Sequence, residues 1–124
     1  MTDSDKGYGF EIFNPNASTS FKDISVRELK EWKDSGEEFF LFDVRTMEER
    51  QIACLQDSIF LDESAVETIK NLDQDTRLIF YCHSGVRSQE AAKYFFEKGY
   101  TQSFNLVGGI DAWSIYVDPE IPRY

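Results

Sequence analysis

The chemistry of this chain concentrates in Tyr81-Cys82-His83-Ser84-Gly85-Val86-Arg87-Ser88. A thiol attacks only as its thiolate, and a free cysteine is mostly protonated at neutral pH. The residues that follow Cys82 can change that. Residues 83–88 can aim several backbone N–H groups into one loop ahead of a helix N-terminus, an arrangement that binds anions and lowers a thiol pKa. Gly85 permits the positive φ that a tight loop needs. Arg87 adds a fixed cation with a planar donor fork, and Ser88 is read as helix cap and hydroxyl donor. Such a cradle suits a thiolate, a persulfide or a bound oxyanion. The competing reading is an inert buried thiol, since free cysteine is among the most buried residues. Cys, Gly, Arg and Ser falling together at one strand-to-helix junction favour the nucleophile. Cys82 is therefore the catalytic candidate, and His83, Ser84, Gly85, Val86, Arg87 and Ser88 are the substrate-binding candidates.

The loop needs elements to hold it. Leu78-Ile79-Phe80-Tyr81 reads as a strand running into it, and Ser88 to Lys98 as the helix leaving it, with Ala91, Ala92, Phe95 and Phe96 on its apolar side and Gly99 at its end. Upstream, Phe21–Ile24 reads as a short strand. Ser25 begins a helix with Glu28 completing a capping box. Phe39–Phe42 is a continuous apolar run, as in a strand covered on both faces, and it leads into Asp43-Val44-Arg45. Thr46 to Cys54 is a charged, partly helical crossover. Ser58–Leu61 reads as a strand, and Ser64 with Glu67 as the cap of another helix. Ser103–Leu106 is a fifth strand, Gly108-Gly109 a tight turn, and Ile110–Ile115 a short last helix. This alternation predicts an α/β domain with a central, mainly parallel five-stranded sheet and helices on both faces. Ligands of such sheets bind at the carboxyl ends of the strands, where Cys82 falls.

Composition narrows the partners. The 124 residues suit one domain, and 41% hydrophobic content can fill its core. The net charge of −10 disfavours nucleic acid and anionic membranes, and it slows the approach of small anions unless the pocket is locally positive. No apolar run is long enough to span a bilayer, and no secretory signal is visible. The cysteines, Cys54 and Cys82, are too few for a disulfide framework, so a reducing, cytoplasmic setting is expected. Residues 1–20 read as a polar N-terminal extension and 21–124 as the domain. Within the extension, Gly7 to Ala17 is similar to the last segment of A-type iron–sulfur carrier proteins, but the metal-binding cysteines are absent and no cluster-binding role follows.

Spacing separates the chemistries open to Cys82. Cysteine-dependent phosphatases carry Cys-x5-Arg, whose loop wraps a phosphate tetrahedron. Cys82-x4-Arg87 is one residue shorter and suits something the size of a terminal sulfur. No aspartate in or next to the loop stands ready as general acid. At this point the sequence resembles the rhodanese family, specifically its single-domain sulfurtransferases, over about Phe21 to Tyr124. The resemblance rests on Leu41-Phe42-Asp43-Val44-Arg45 with Glu48-Glu49, on Cys82 to Ser88, and on Gly108-Gly109-Ile110-Asp111-Ala112-Trp113. The tail Val117 to Tyr124 is similar to the end of rhodanese domains fused to E1-like enzymes that activate sulfur carriers. The resemblance implies transfer of a sulfane sulfur from thiosulfate or a persulfide donor to a thiophilic acceptor through a Cys82 persulfide, with no metal or organic cofactor. It implies as partners a small sulfur donor or protein persulfide and a sulfur-acceptor protein, with the chain a monomer or weak homodimer. Alternatives are a non-catalytic binding module on the same fold and, further off, a cysteine phosphatase or arsenate-reductase-like enzyme. The family's Gly-His-Ile-Pro-Gly-Ala-like segment is replaced by Ala53-Cys54-Leu55-Gln56-Asp57-Ser58, and His83 stands where some thiosulfate users carry arginine.

The other candidates are structural support. Asp43 and Arg45 are expected as a charge pair bracing a strand end, with Glu49 joining them, because buried charges need partners. Gly108, Gly109 and Trp113 are expected to shape and cover the sheet end. His83, the only histidine, is expected to face solvent, its N–H mattering more than its ring, although it could instead tune the thiolate. Cys54, between Ala53 and Leu55, is expected to pack inside, with a sulfur-relay role as the alternative.

Overall fold

The structure is a computed structural model, and it describes residues 20–124. The polar extension expected for residues 1–20, with its Gly7–Ala17 stretch, lies outside the described residues apart from Ser20. Among the described residues five strands and five helices alternate: β1 (Lys22–Ile24), α1 (Val26–Asp34), β2 (Phe40–Asp43), α2 (Met47–Ile52), β3 (Ile59–Phe60), α3 (Glu63–Lys70), β4 (Leu78–Tyr81), α4 (Arg87–Glu97), β5 (Ser103–Leu106) and α5 (Gly109–Tyr116). The sheet has the order β1-β5-β4-β2-β3, and every pairing is parallel. This is the α/β architecture expected from the alternation.

Why β4 is central follows from its composition. All four of its residues are buried, so both of its faces need cover. Alternate side chains point to opposite faces. Ile79 and Tyr81 enter one core with Leu41, Leu106, Val26 and Leu29 of α1, and Ile110 and Trp113 of α5. Leu78 and Phe80 enter the other with Phe42, Ala65 and Ile69 of α3, and Ala92 and Phe95 of α4. Phe42, Phe80 and Phe95 stack in sequence at centroid distances of 5.5 and 5.3 Å. The two cores clamp β4, so the chain leaving it at Cys82 starts from a fixed point.

Helix starts show local chemistry at work. The Ser25–Glu28 capping box forms as expected. A second box, Thr46 with Glu49, begins α2. For α3 the expectation is corrected. Asp62 is the cap, accepting from the Ala65 N–H, because the helix begins before Ser64. For α4 there is no side-chain cap, and Ser88 lies inside the first turn rather than before it. Cys54 is corrected too. It is exposed, because the backbone is extended at Ala53 and side chains there alternate outward and inward. Leu55 takes the buried position at 2% exposure.

Candidate active site

Cys82 is fully buried at the carboxyl end of β4. Its sulfur is the point on which the following loop converges. The Gly85 N–H donates to Sγ at 3.2 Å and the Ser88 N–H at 3.4 Å. The uncapped first turn of α4 supplies the second of these, so donors that a helix usually satisfies with a cap are turned onto the sulfur. Ser88 Oγ is also 3.4 Å from Sγ, but it donates to Asn105 Oδ1 at 2.5 Å. One hydroxyl proton cannot serve both acceptors. The Asn105 amide is oriented by its donation to the Gly85 carbonyl at 3.2 Å, which leaves Oδ1 facing Ser88. Burial pushes the Cys82 thiol up. Hydrogen bonds from Ser88 and from the Gly85 and Ser84 N–H groups outweigh burial and hold it below the ordinary thiol value.

The loop's shape is imposed from behind by α5. The Ile110 N–H donates to the Cys82 carbonyl and the Asp111 N–H to the His83 carbonyl, each at 3.0 Å. These are first-turn donors of α5, and they require its backbone to press against the loop. Gly109 permits this approach, since a Cβ there would fall on the carbonyls of Cys82 and His83, and its φ is +61°. Gly85 has φ +93°, and a Cβ on it would meet the Gly108 nitrogen at 2.8 Å. The Gly108-Gly109 pair thus lies directly against the loop backbone. Trp113 is buried in the core below, with the Lys33 ammonium 5.8 Å from its ring centre.

A charge network surrounds the loop. Asp43, fully buried, accepts from Arg45 Nε and Nη2 at 2.8 Å each, from Arg50 Nη1 at 3.0 Å and from Tyr81 Oη at 3.1 Å. Burial raises its carboxyl, and these partners, Arg45 foremost, bring it below the usual carboxylate range. The expected Asp43–Arg45 pair is therefore present. Glu49 is not bonded to it directly. It holds Arg87 through two bonds of 2.8 and 2.9 Å. Arg87 keeps the Glu49 carboxyl far below its ordinary value. Tyr124 links the two pairs, accepting from Arg45 Nη1 and donating to Glu49 Oε2, each at 2.8 Å. Its ring stacks on His83 at a centroid distance of 4.2 Å. His83 is thus half-buried against an aromatic ring rather than facing solvent, and its carbonyl is the backbone group engaged. Ser84 and Val86 are exposed at the loop surface.

Asn105, Tyr81, Arg50 and Tyr124 were not among the sequence candidates. Asn105 had a readable signal, a lone amide in the apolar run Phe104-Asn105-Leu106. Tyr124 had none, since its partner Arg45 lies 79 residues away. Among the described residues there is no cluster of three or more His, Cys, Asp or Glu placed to hold a metal, and no helix long and apolar enough to cross a membrane.

Known proteins resemble this chain in sequence and fold. The pattern of the rhodanese-like domain matches residues 25–116. The putative sulfurtransferase YtwF of Bacillus subtilis is 34% identical over 100 residues, covering 80% of this chain and 96% of that protein. The probable adenylyltransferase/sulfurtransferase MoeZ of Mycobacterium tuberculosis is 35% identical over 104 residues, covering 82% of this chain and 26% of that protein. The chain therefore spans about a quarter of the length of that relative. A rhodanese-like domain protein from Staphylococcus aureus has the same fold, with a TM-score of 0.65 at 23% identity, over 83% of this chain and 98% of that one. The chain belongs to the rhodanese-like domain family.

Proposed function

We propose that residues 21–124 form a sulfurtransferase domain that carries a sulfane sulfur on Cys82. The observation that supports this most is the convergence of the Gly85 and Ser88 N–H groups on a buried sulfur at 3.2 and 3.4 Å. Neutral dipoles aimed at one point stabilise a negative sulfur without neutralising its nucleophilicity by a proton. His83 to Ser88 supply the wall and donors of the binding loop. Asp43, Arg45, Glu49, Gly108, Gly109 and Trp113 hold it in place.

The cycle has two displacements. The Cys82 thiolate attacks the terminal sulfur of thiosulfate or of a persulfide. The donor's S–S bond breaks, and its electron pair leaves on sulfite or on a thiolate. The new Cys82–S–S⁻ anion rests in the cradle. An acceptor nucleophile then attacks the outer sulfur, the Cys82 S–S bond breaks, and its pair returns to Cys82 as thiolate. No electrons are gained or lost overall, and the cycle asks for no metal or organic cofactor. The name of MoeZ pairs sulfur transfer with adenylyl transfer, which supports a protein as acceptor or donor, and a reducing cytoplasm suits a cycle in which both cysteines are free thiols.

Cyanide as acceptor gives the direct test. Wild type should convert thiosulfate or a persulfide and cyanide to thiocyanate, Cys82→Ser should not, and Cys54→Ser should retain most activity. Equal rates in wild type and Cys82→Ser would refute the assignment.

A further inference from the structure

Cationic side chains near the loop are already committed. Arg45 and Arg50 are held by Asp43. Arg123 of the tail is held by Asp111 through bonds of 2.8 and 3.2 Å. Arg87, the cation of the loop itself, is gripped on both nitrogens by Glu49, which is in turn fixed by Tyr124 and by the Thr46 N–H at 3.3 Å. Arg87 is 46% exposed and Glu49 17%, so the anion is the more enclosed partner. The donors aimed at Sγ are neutral N–H groups, and the chain around them carries a net charge of −10.

A donor must bring its sulfur to a buried thiolate. Thiosulfate arrives as a dianion and so needs a free positive charge at the entrance. A persulfide carries at most one charge on its sulfur pair, and N–H dipoles suffice for it. We infer that Glu49, by occupying Arg87, sets the donor class of this site as persulfides rather than thiosulfate. Glu49 is a specificity-determining positioning residue acting through Arg87. The inference rests on the sulfurtransferase reading and narrows it.

Coulomb energy scales with the product of the charges, so removing one adjacent anion should help a dianion by about tenfold and a monoanion by about threefold. Glu49→Gln tests this and keeps the Thr46 capping box, which accepts glutamine. The probes are thiosulfate and cysteine persulfide, each at saturating cyanide. Wild type should show higher kcat/KM for cysteine persulfide. Glu49→Gln should raise kcat/KM for thiosulfate by about tenfold, mainly through KM, and for cysteine persulfide by about threefold. In the double variant Glu49→Gln/Arg87→Gln the thiosulfate gain over wild type should disappear, because the gain runs through Arg87. A wild type that prefers thiosulfate, or an unchanged donor ratio in folded Glu49→Gln, overturns the inference while leaving sulfur transfer intact. Turnover of neither donor by wild type would instead defeat the sulfurtransferase reading itself.

Discussion

Replacing Ser88 by alanine separates stability from reactivity at this site. The hydroxyl contacts both Cys82 Sγ at 3.4 Å and Asn105 Oδ1 at 2.5 Å. The shorter contact takes the proton. Its loss leaves a carbonyl oxygen of Asn105, itself 2% exposed, buried without that donor, at a cost of about 1–3 kcal/mol in unfolding free energy. The sulfur keeps the Gly85 and Ser88 N–H groups, which alanine does not remove. The alkylation midpoint of Cys82 should then rise by less than about half a pKa unit. If the hydroxyl instead carried the thiolate, a charge-assisted bond of about 1.5–3 kcal/mol would vanish and the midpoint would rise by roughly one to two units. The assay pairs urea unfolding with iodoacetamide rates across pH, in a Cys54→Ser background to isolate Cys82. A midpoint raised by about one unit with unchanged stability would refute this assignment of donors.

Other expectations follow from the same geometry. In otherwise wild-type protein, Cys82 should alkylate with a midpoint below the ordinary thiol value of about 8.5, because its hydrogen bonds outweigh burial; a midpoint at or above that value would contradict the cradle. Since the native pKa is the lower one, the unfolded chain holds the extra proton between the two values. Stability should rise with pH across that window and level off above it, which urea titrations in the Cys54→Ser background would show. Gly109→Ala should destabilise the fold by about 2–4 kcal/mol, from positive-φ strain together with displacement of the Cys82 and His83 carbonyls; thermal unfolding within about 0.5 kcal/mol of wild type would refute the close approach. Asp43→Ala strips a buried carboxylate from Arg45 and Arg50 and should cost about 3–5 kcal/mol in denaturant titration.

The strands at the centre were legible because their environment is uniform. Leu78–Tyr81 is buried throughout, so an unbroken apolar run marks it with correct ends; Ser103–Leu106 is equally buried, with Phe104 and Leu106 alternating with the polar Ser103 and Asn105. The loop was legible because its chemistry is local, with Cys82, Gly85 and Ser88 all within one turn of the chain. The helix starts were half-legible. Ser25–Glu28 and Thr46–Glu49 obey the capping pattern, whereas Ser64–Glu67 satisfies the same pattern and is passed over because Asp62 closes the turn first. Ser88 looks like a cap, but its N–H is turned onto the sulfur and its hydroxyl onto Asn105. Cys54 misled because apolar neighbours were read without the alternation of extended backbone. The Tyr124 bridge between Arg45 and Glu49, and its stack on His83, depend on where the tail returns, and no local pattern encodes that. The charge state of the site's entrance therefore emerges only in three dimensions. Glu49 was expected to join Asp43 and Arg45, and it reaches them only through Tyr124 while its own carboxylate is given to Arg87.

Intact mass of the protein after brief exposure to cysteine persulfide tests the central claim most directly. The account predicts a gain of one sulfur atom per chain, its loss on adding cyanide with thiocyanate released, and no such gain in Cys82→Ser. A folded wild type that stays unmodified, or an equal gain in Cys82→Ser, would contradict it.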